Sequence, residues 1–329
     1  MNKNLRSLVV IVLLAAAGAA VMYFNRQRSP QEPVPGPVSG KLTVRFLDIG
    51  QGDAELIQLP DGKTILIDSG DRGAPTVDLL KQYGVKEITL AIATHPHADH
   101  IGEMRDIMRA LKVDEVWDAG FNNPTATYTN MLQEIKDRGI KFSTPKQGET
   151  RTIGDALVEV LHPGNDLPND NPNNASVVVR LTYGSKRFLF TGDTEKESWQ
   201  QMIGSEKEKL RADLLKAAHH GSSNGTLPEV IDAVQPSIFT ISCAVGNDYH
   251  HPHPKVMSLL EQDKKTIKVY RTDLQGTITA VCDGKTIEMS TEKQATEAQL
   301  YMIGDEVASK AASNGGASSS SSKRGKKGQ

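Results

Sequence analysis

Cysteine is scarce: Cys243 and Cys282 are the only two in 329 residues. That excludes a disulfide-stapled scaffold and a paired C-x-x-C zinc site, and leaves either one bridge across neighbouring strands or two buried thiols. An excess of one charge sign is also missing, with a formal net charge of −2, so no global field points to nucleic acid or a membrane surface. No basic stripe with interleaved aromatics is visible, and recognition of a polyanion has to be local. No internal repeat is visible either. What remains is an ordinary globular composition, 38% hydrophobic and 24% charged, on a chain long enough for a sizeable buried core.

Long apolar runs are limited to one, residues 8–24, flanked by Lys3 and Arg6 before it and by Arg26 and Arg28 after it. Residues 1–28 therefore read as a signal peptide or membrane anchor, and both readings send the rest of the chain out of the cytoplasm. Pro30, Pro33, Pro35 and Pro37 make residues 29–40 an extended linker. A single folded domain is expected over 41–300. Residues 301–329 read as a disordered tail, rich in glycine and serine and closed by Lys323, Arg324, Lys326 and Lys327.

Within the domain, period-two alternation predicts strands over 41–48, 54–59 and 64–68, the last two joined by the turn signal Asp61-Gly62. An apolar, β-rich run over 87–94 predicts a buried strand, followed by helices over 99–111 and 128–138. Strands are then expected over 157–161, 176–183, 186–191, 214–218 and 237–242, with a hairpin of 267–271 and 277–289 closing the domain. Hairpins first, then strands alternating with helices, favour an α+β fold of two sheets flanked by helices over a purely parallel sheet.

The histidines are the most informative residues. Eight of nine fall into three groups: His95, His97 and His100; His219 and His220; His250, His251 and His253. Bunching of this kind suits a metal site built from loop ends better than packing does. Residues 94–102 read T-H-P-H-A-D-H-I-G. Imidazole and carboxylate are the ligands that borderline divalent cations prefer, and His95, His97, Asp99 and His100 supply four of them within six residues.

Further strings accompany this motif: D-I-G-Q-G-D from Asp48 to Asp53, Asp68-Ser69-Gly70, Asn173-Asn174-Ala175-Ser176, Phe190-Thr191-Gly192-Asp193, His219-His220-Gly221-Ser222, and Val245 to Pro254. On these residues the chain resembles the metallo-β-lactamase superfamily over roughly 41–290, and within it the branch of the soluble hydrolase domain of the competence protein ComEC.

The resemblance implies an αββα sandwich holding two divalent metal ions, Zn or Mn, at the open edge between the sheets. His95 and His97 would bind the first ion, Asp99 and His100 the second, and Asp193 would bridge them. One of His219 and His220 would complete the second site, with His219 favoured. Asn174 stands where many members place a further histidine, which tilts the first site from Zn²⁺ toward Mn²⁺ or Mg²⁺. His162 is an alternative ligand or a loop histidine. Asp68 would orient a ligand histidine from behind, and Asp53 is placed with it. Asp99, His251 and His253 are the expected catalytic residues, the two histidines touching the scissile phosphate or protonating the leaving oxygen.

The branch is associated with degradation of one DNA strand during uptake, so a metal-dependent nuclease or phosphodiesterase acting on DNA is expected, anchored to a membrane or secreted. The alternatives are hydrolysis of another ester, a phosphocholine, lactone or β-lactam, and a non-catalytic extracytoplasmic metal-binding module. No protein partner can be inferred.

Overall fold

The computed structural model describes residues 36, 38–164 and 171–316. The expected anchor, most of the linker and the basic end of the tail lie outside these residues. Among the described residues no helix is long and apolar enough to cross a membrane.

The strands of the first half are β1 (Leu42–Phe46), β2 (Glu55–Gln58), β3 (Thr64–Ile67), β4 (Glu87–Ile88), β5 (Leu90–Ala93), β6 (Lys112–Val113), β7 (Glu115–Asp118) and β8 (Lys141–Ser143). The second half adds β9 (Thr150–Ile153), β10 (Ala156–His162), β11 (Val178–Tyr183), β12 (Lys186–Phe190), β13 (Leu214–Lys216), β14 (Ile238–Ile241) and β15 (Lys268–Arg271). The last two are β16 (Ile278–Cys282) and β17 (Ile287–Thr291). They form two large mixed sheets, one in the order β17-β16-β1-β2-β3-β5-β7-β8 and the other β15-β14-β13-β12-β11-β10-β9. The remaining pair, β4 and β6, makes a small parallel ribbon.

Alternation decides how the sheets meet. Leu42, Val44 and Phe46 of β1 face one way and join Val158, Val160, Phe188 and Phe190 of the other sheet in a shared core. Phe46 and Phe190 stack across it with ring centroids 6.2 Å apart. Burying side chains of this size stabilises the fold by about 2 kcal/mol each, which sets the face-to-face register. A second apolar cluster lies between the β9–β15 sheet and the helices Lys196–Glu206, Pro228–Val234 and Pro254–Gln262, around Trp199, Met202, Val230 and Val256. The layers are thus two mixed sheets flanked by helices, as expected: a metallo-β-lactamase fold.

One consequence of the topology positions the site. β3, β5 and β7 run parallel in the first sheet, and β12, β13 and β14 run parallel in the second. Their carboxyl ends deliver Asp68, His95, Asp193, His219 and Ser242 to one edge, the usual place for ligands in sheets of this kind.

Two expectations need correction. The strands at 267–271 and 277–289 do not pair with each other: β15 adds in parallel to β14, while β16 pairs antiparallel with β1 in the other sheet and forms its hairpin with β17. Alternation marks strands but not which edge they join.

The tail expected to be disordered from 301 is also ordered as far as Gly316, through a helix over Gly304–Gly316. Its anchors are few but firm. Met302 and Val307 are buried, and the fully buried Arg271 guanidinium, paired to Asp273, donates to the Leu300 and Met302 carbonyls. Gly304 lies so close to the His251 carbonyl that a Cβ there would collide with it. Average hydrophobicity underrates such a segment because hydrogen bonds and two apolar contacts hold it.

Candidate metal centre

β5 ends at Ala93, and the chain turns at His95 and His97 into a short helix, Ala98–Ile101, that carries Asp99 and His100. The helix expected over 99–111 is broken here, with a second helix, Met104–Ala110, beyond Gly102 and Glu103. The D-I-G-Q-G-D string holds this turn in place. The Asp53 N–H donates to the Asp99 carbonyl at 3.2 Å, an approach possible because residue 52 is glycine, with φ +123° and no room for a Cβ against that carbonyl. Backbone strain gathers at the same edge: Asp68, His219, His220 and His250 all have positive φ near 50–60°, unfavourable for residues other than glycine and common where a site over-determines the backbone.

Asp193 stands between two groups of ligand atoms. Its Oδ1 lies 3.2 Å from His100 Nε2 and 3.6 Å from His220 Nε2, and Asp99 Oδ2 lies 3.3 Å from His220 Nε2. Its Oδ2 faces His95 Nε2 at 3.8 Å and His219 Nε2 at 3.7 Å. His97 Nδ1 is 3.0 Å from His95 Nε2. The ligand atoms of His95, His100 and Asp193, and those of Asp99, His100 and His220, lie within 4.8 Å of one another in each group. His100 Nε2, His220 Nε2 and Asp193 Oδ1 are buried without a hydrogen-bond partner. Orphaned atoms converging in this way fit a divalent cation, and the buried histidine–aspartate clusters fit a binuclear site.

The atoms behind the ligands set their orientation. His100 Nδ1 is 2.7 Å from Asp68 Oδ2, and Asp68 also accepts from the Thr94 N–H and hydroxyl. His220 Nδ1 lies 3.2 Å from Asp53 Oδ1 and 3.1 Å from the Ser242 carbonyl. A ring nitrogen that donates backwards leaves the other with its lone pair toward the site. Asp53 is in turn held by Lys216, whose Nζ is 2.7 Å away with both side chains almost wholly buried. Burial opposes ionising Asp53, but Lys216 and His220 outweigh it and bring its pKa down to about 2. Glu55 beside it is pushed well up by burial and by the Asp53 charge.

Burial likewise opposes charging His100 and His220. The surrounding Asp193, Asp68, Asp53 and Asp99 carboxylates overcome it, raising His100 well above its ordinary range and His220 to about 10. Such a field draws protons, and it draws cations for the same reason.

Several expectations are revised by this geometry. His220, not His219, joins Asp99 and His100. His219 turns to the other side of Asp193, with Nδ1 3.1 Å from Glu195 Oε1. Asn174 is directed elsewhere: its Oδ1 accepts from the Glu195 N–H, its Nδ2 donates to the Glu197 side chain, and its carbonyl accepts from the Ser198 hydroxyl, so its polar groups are spent on the start of the helix Lys196–Glu206. A ligand role for Asn174 is therefore corrected. His162 donates from Nδ1 to the Ser176 carbonyl and belongs to no ligand cluster among the described residues.

His253 is not free for substrate, because its Nδ1 accepts from the Ser223 N–H and its Nε2 donates to the Tyr249 carbonyl, tying two loops together. His251 lines the cavity beside the site. Burial and the neighbouring His220, His219 and His253 lower its pKa to about 3, so it is a neutral ring near pH 7, which suits the expected contact with a phosphate oxygen and not the alternative of protonating the leaving oxygen.

A cavity of about 290 Å³ opens over the centre, lined by Gln51, His97, Asp99, Asp193, His219, His220, Tyr249 and His251. Glu195, Lys216, Gln51 and Tyr249 were not singled out from the sequence. Lys216 alone left a signal, a lone charge inside the apolar run Leu214 to Ala218.

Comparisons with known proteins give the family. A family model described as metallo-beta-lactamase superfamily matches residues 47–245. ComE operon protein 3 of Bacillus subtilis is 33% identical over 261 residues, covering 73% of this chain and 33% of its own. Competence protein ComA of Neisseria gonorrhoeae is 26% identical over 71% of this chain and 31% of its own, and Recombination protein 2 of Haemophilus influenzae is 28% identical over 68% and 27%. The chain thus spans about a third or less of the length of these curated relatives. Among solved structures, the metallo hydrolase Igni18 of Ignicoccus hospitalis matches with a TM-score of 0.48 at 17% identity, over 72% of this chain and 98% of that one. The chain belongs to the metallo-beta-lactamase superfamily and carries the histidine–aspartate site of a metallo-hydrolase.

Proposed function

We propose that the chain is a two-metal phosphodiesterase acting on DNA. The observation that carries the reading is Asp193, which offers one carboxylate oxygen to His100 and His220 and the other to His95 and His219, at the floor of an open cavity. Two bound cations would supply a hydroxide at neutral pH and offset charge developing on a phosphoryl oxygen. Asp99, His100 and His220 would hold one of them, His95, His97 and His219 the other, with Asp193 shared. Asp68 and Asp53 keep His100 and His220 in the orientation that presents Nε2. The neutral His251 ring lines the cavity and offers a hydrogen bond to a substrate oxygen.

DNA as substrate is supported by the relatives named for competence and recombination. With Asn174 turned away and His219 turned in, the amide-oxygen argument for manganese lapses, and Zn²⁺ and Mn²⁺ both suit the nitrogen-rich donor set. A location outside the cytoplasm, anchored or secreted, is proposed from residues 1–28 of the sequence.

The test is metal analysis of the purified chain, followed by EDTA stripping and add-back of Zn²⁺ or Mn²⁺. The assays use plasmid, single-stranded DNA, bis-p-nitrophenyl phosphate and a panel of lactone, β-lactam and phosphocholine substrates. Metal-dependent loss of DNA, abolished by Asp193→Asn and His220→Ala, is the expected result. Intact DNA with turnover of another ester sinks the nuclease reading. Activity unchanged in both variants sinks the catalytic one.

A further inference from the structure

The loop between β14 and the helix Pro254–Gln262 places one large aromatic in the open. Tyr249 is 60% exposed, the most exposed of the large hydrophobic side chains among the described residues. Its ring lies nearly parallel to the His251 ring, 18° off with 5.7 Å between centroids. His251 in turn sits 5.4 Å from the His219 ring and 5.9 Å from His220. Tyr249 is therefore one ring removed from the metal-facing histidines. It borders both the cavity over Asp193 and an adjoining one of about 330 Å³ that extends past Asp71 and Asp248.

The second relevant fact is charge. Among the described residues, no lysine or arginine lines either cavity, whereas Asp71, Asp99, Asp193 and Asp248 do. A duplex is gripped chiefly through phosphates by Lys and Arg, and this groove has no such grip to offer. An aromatic face works differently: it binds any base through its π-surface, provided that the base is not already stacked and paired.

We propose that the exposed ring of Tyr249, beside His251, is a stacking platform for an unpaired nucleobase of single-stranded DNA, seating a neighbouring phosphodiester at the metal centre. The proposal rests on the nucleic-acid reading above and adds to it a preference for single strands, set by stacking and not by phosphate contacts.

The test compares two strands on the full chain in Mn²⁺. One is a 5′-labelled oligodeoxythymidylate, and the other is the same length with abasic residues in place of the thymidines. Both carry phosphorothioate linkages so that binding is read by fluorescence anisotropy without turnover. Wild type is expected to bind the base-bearing strand about 5- to 150-fold more tightly, the range for one base on one aromatic face. Tyr249→Ala should bind both strands equally weakly, and Tyr249→Phe should restore the difference. The platform is overturned if Tyr249→Ala keeps the wild-type preference, if it loses equally on both strands, or if wild type binds neither strand. Base-dependent binding through Tyr249 with no hydrolysis of unmodified DNA leaves the platform standing and removes the nuclease reading alone.

Discussion

Replacing Asp68 with Asn isolates the second half of the metal centre. Residue 68 has φ 55°, a conformation that Asn tolerates nearly as well as Asp, so the backbone is preserved. The side chain can still accept the Thr94 N–H bond through its remaining oxygen. The amide that replaces Oδ2 then faces His100 Nδ1 at the 2.7 Å position and can only donate to it. That reverses the ring tautomer: Nδ1 becomes an acceptor, the proton moves to Nε2, and the atom facing Asp193 loses its lone pair. Losing an orienting carboxylate typically costs 10- to 100-fold in metal affinity, about 1.4–2.7 kcal/mol. His100 and Asp68 are both fully buried, which favours the upper part of that range. Calorimetric titration of the apo chain with Zn²⁺ or Mn²⁺ reads the two sites separately. One affinity should fall and the other should hold, so that dialysis against a graded chelator strips the variant to one ion while wild type retains two. Two ions bound with wild-type affinities would refute the orienting role of Asp68.

Three further outcomes follow from the same geometry. Asp118 is almost wholly buried, and burial raises its pKa from 3.8 to about 6 against hydrogen bonds from the Gly120 N–H and the Tyr128 hydroxyl. The folded state therefore binds this proton more tightly than the unfolded chain, and stability is lost as pH rises from about 4 to 6. Asp118→Asn should flatten urea-unfolding stability across that window and add about 1–2 kcal/mol at pH 7, after the cost of an amide without an acceptor. Lys216→Met should destabilise the fold by about 3–5 kcal/mol in the same assay, because it leaves Asp53 charged, buried and short of its cation; a loss below 1 kcal/mol would show that the pair is not held ionised. Asn174→Ala should cost about 1–2 kcal/mol of thermal stability by removing the side chain's hydrogen bonds to Glu195 and Glu197 while bound metal stays at two ions per chain, whereas loss of an ion would make Asn174 a ligand after all.

How much of this was legible varies by residue. His95, His97, Asp99 and His100 stand within six positions, so local geometry alone makes them a plausible ligand set. The parallel strands expected over 64–68, 87–94, 186–191, 214–218 and 237–242 read correctly because each is an apolar run bounded by turn residues. His219 and His220 could not be told apart, since both are adjacent histidines just beyond one strand. What separates them is the left-handed backbone at both positions, which sends one ring behind Asp99 and the other toward Glu195. Asn174 misled because its place in the chain matches a ligand position, while its amide is claimed by a helix terminus. His253 misled in the same way, its two ring nitrogens being spent between loops 221–223 and 249–253. The ordered segment 297–316 did leave one sign, a Thr-x-x-Gln capping box at Thr296 and Gln299.

The sequence by itself determined two sheets flanked by helices, through strand periodicity, and the local cluster of His95, His97, Asp99 and His100; Asp193, the pair His219 and His220, and the carboxylates Asp68 and Asp53 were expected from the resemblance to the superfamily. Tertiary structure alone decided which histidine faces which oxygen of Asp193, and that Lys216 holds Asp53 across 163 positions of chain. It also decided that His251 is neutral and that Tyr249 stands open beside the centre. These are matters of direction, burial and field, and they exist only once two sheets have brought their carboxyl ends to one edge.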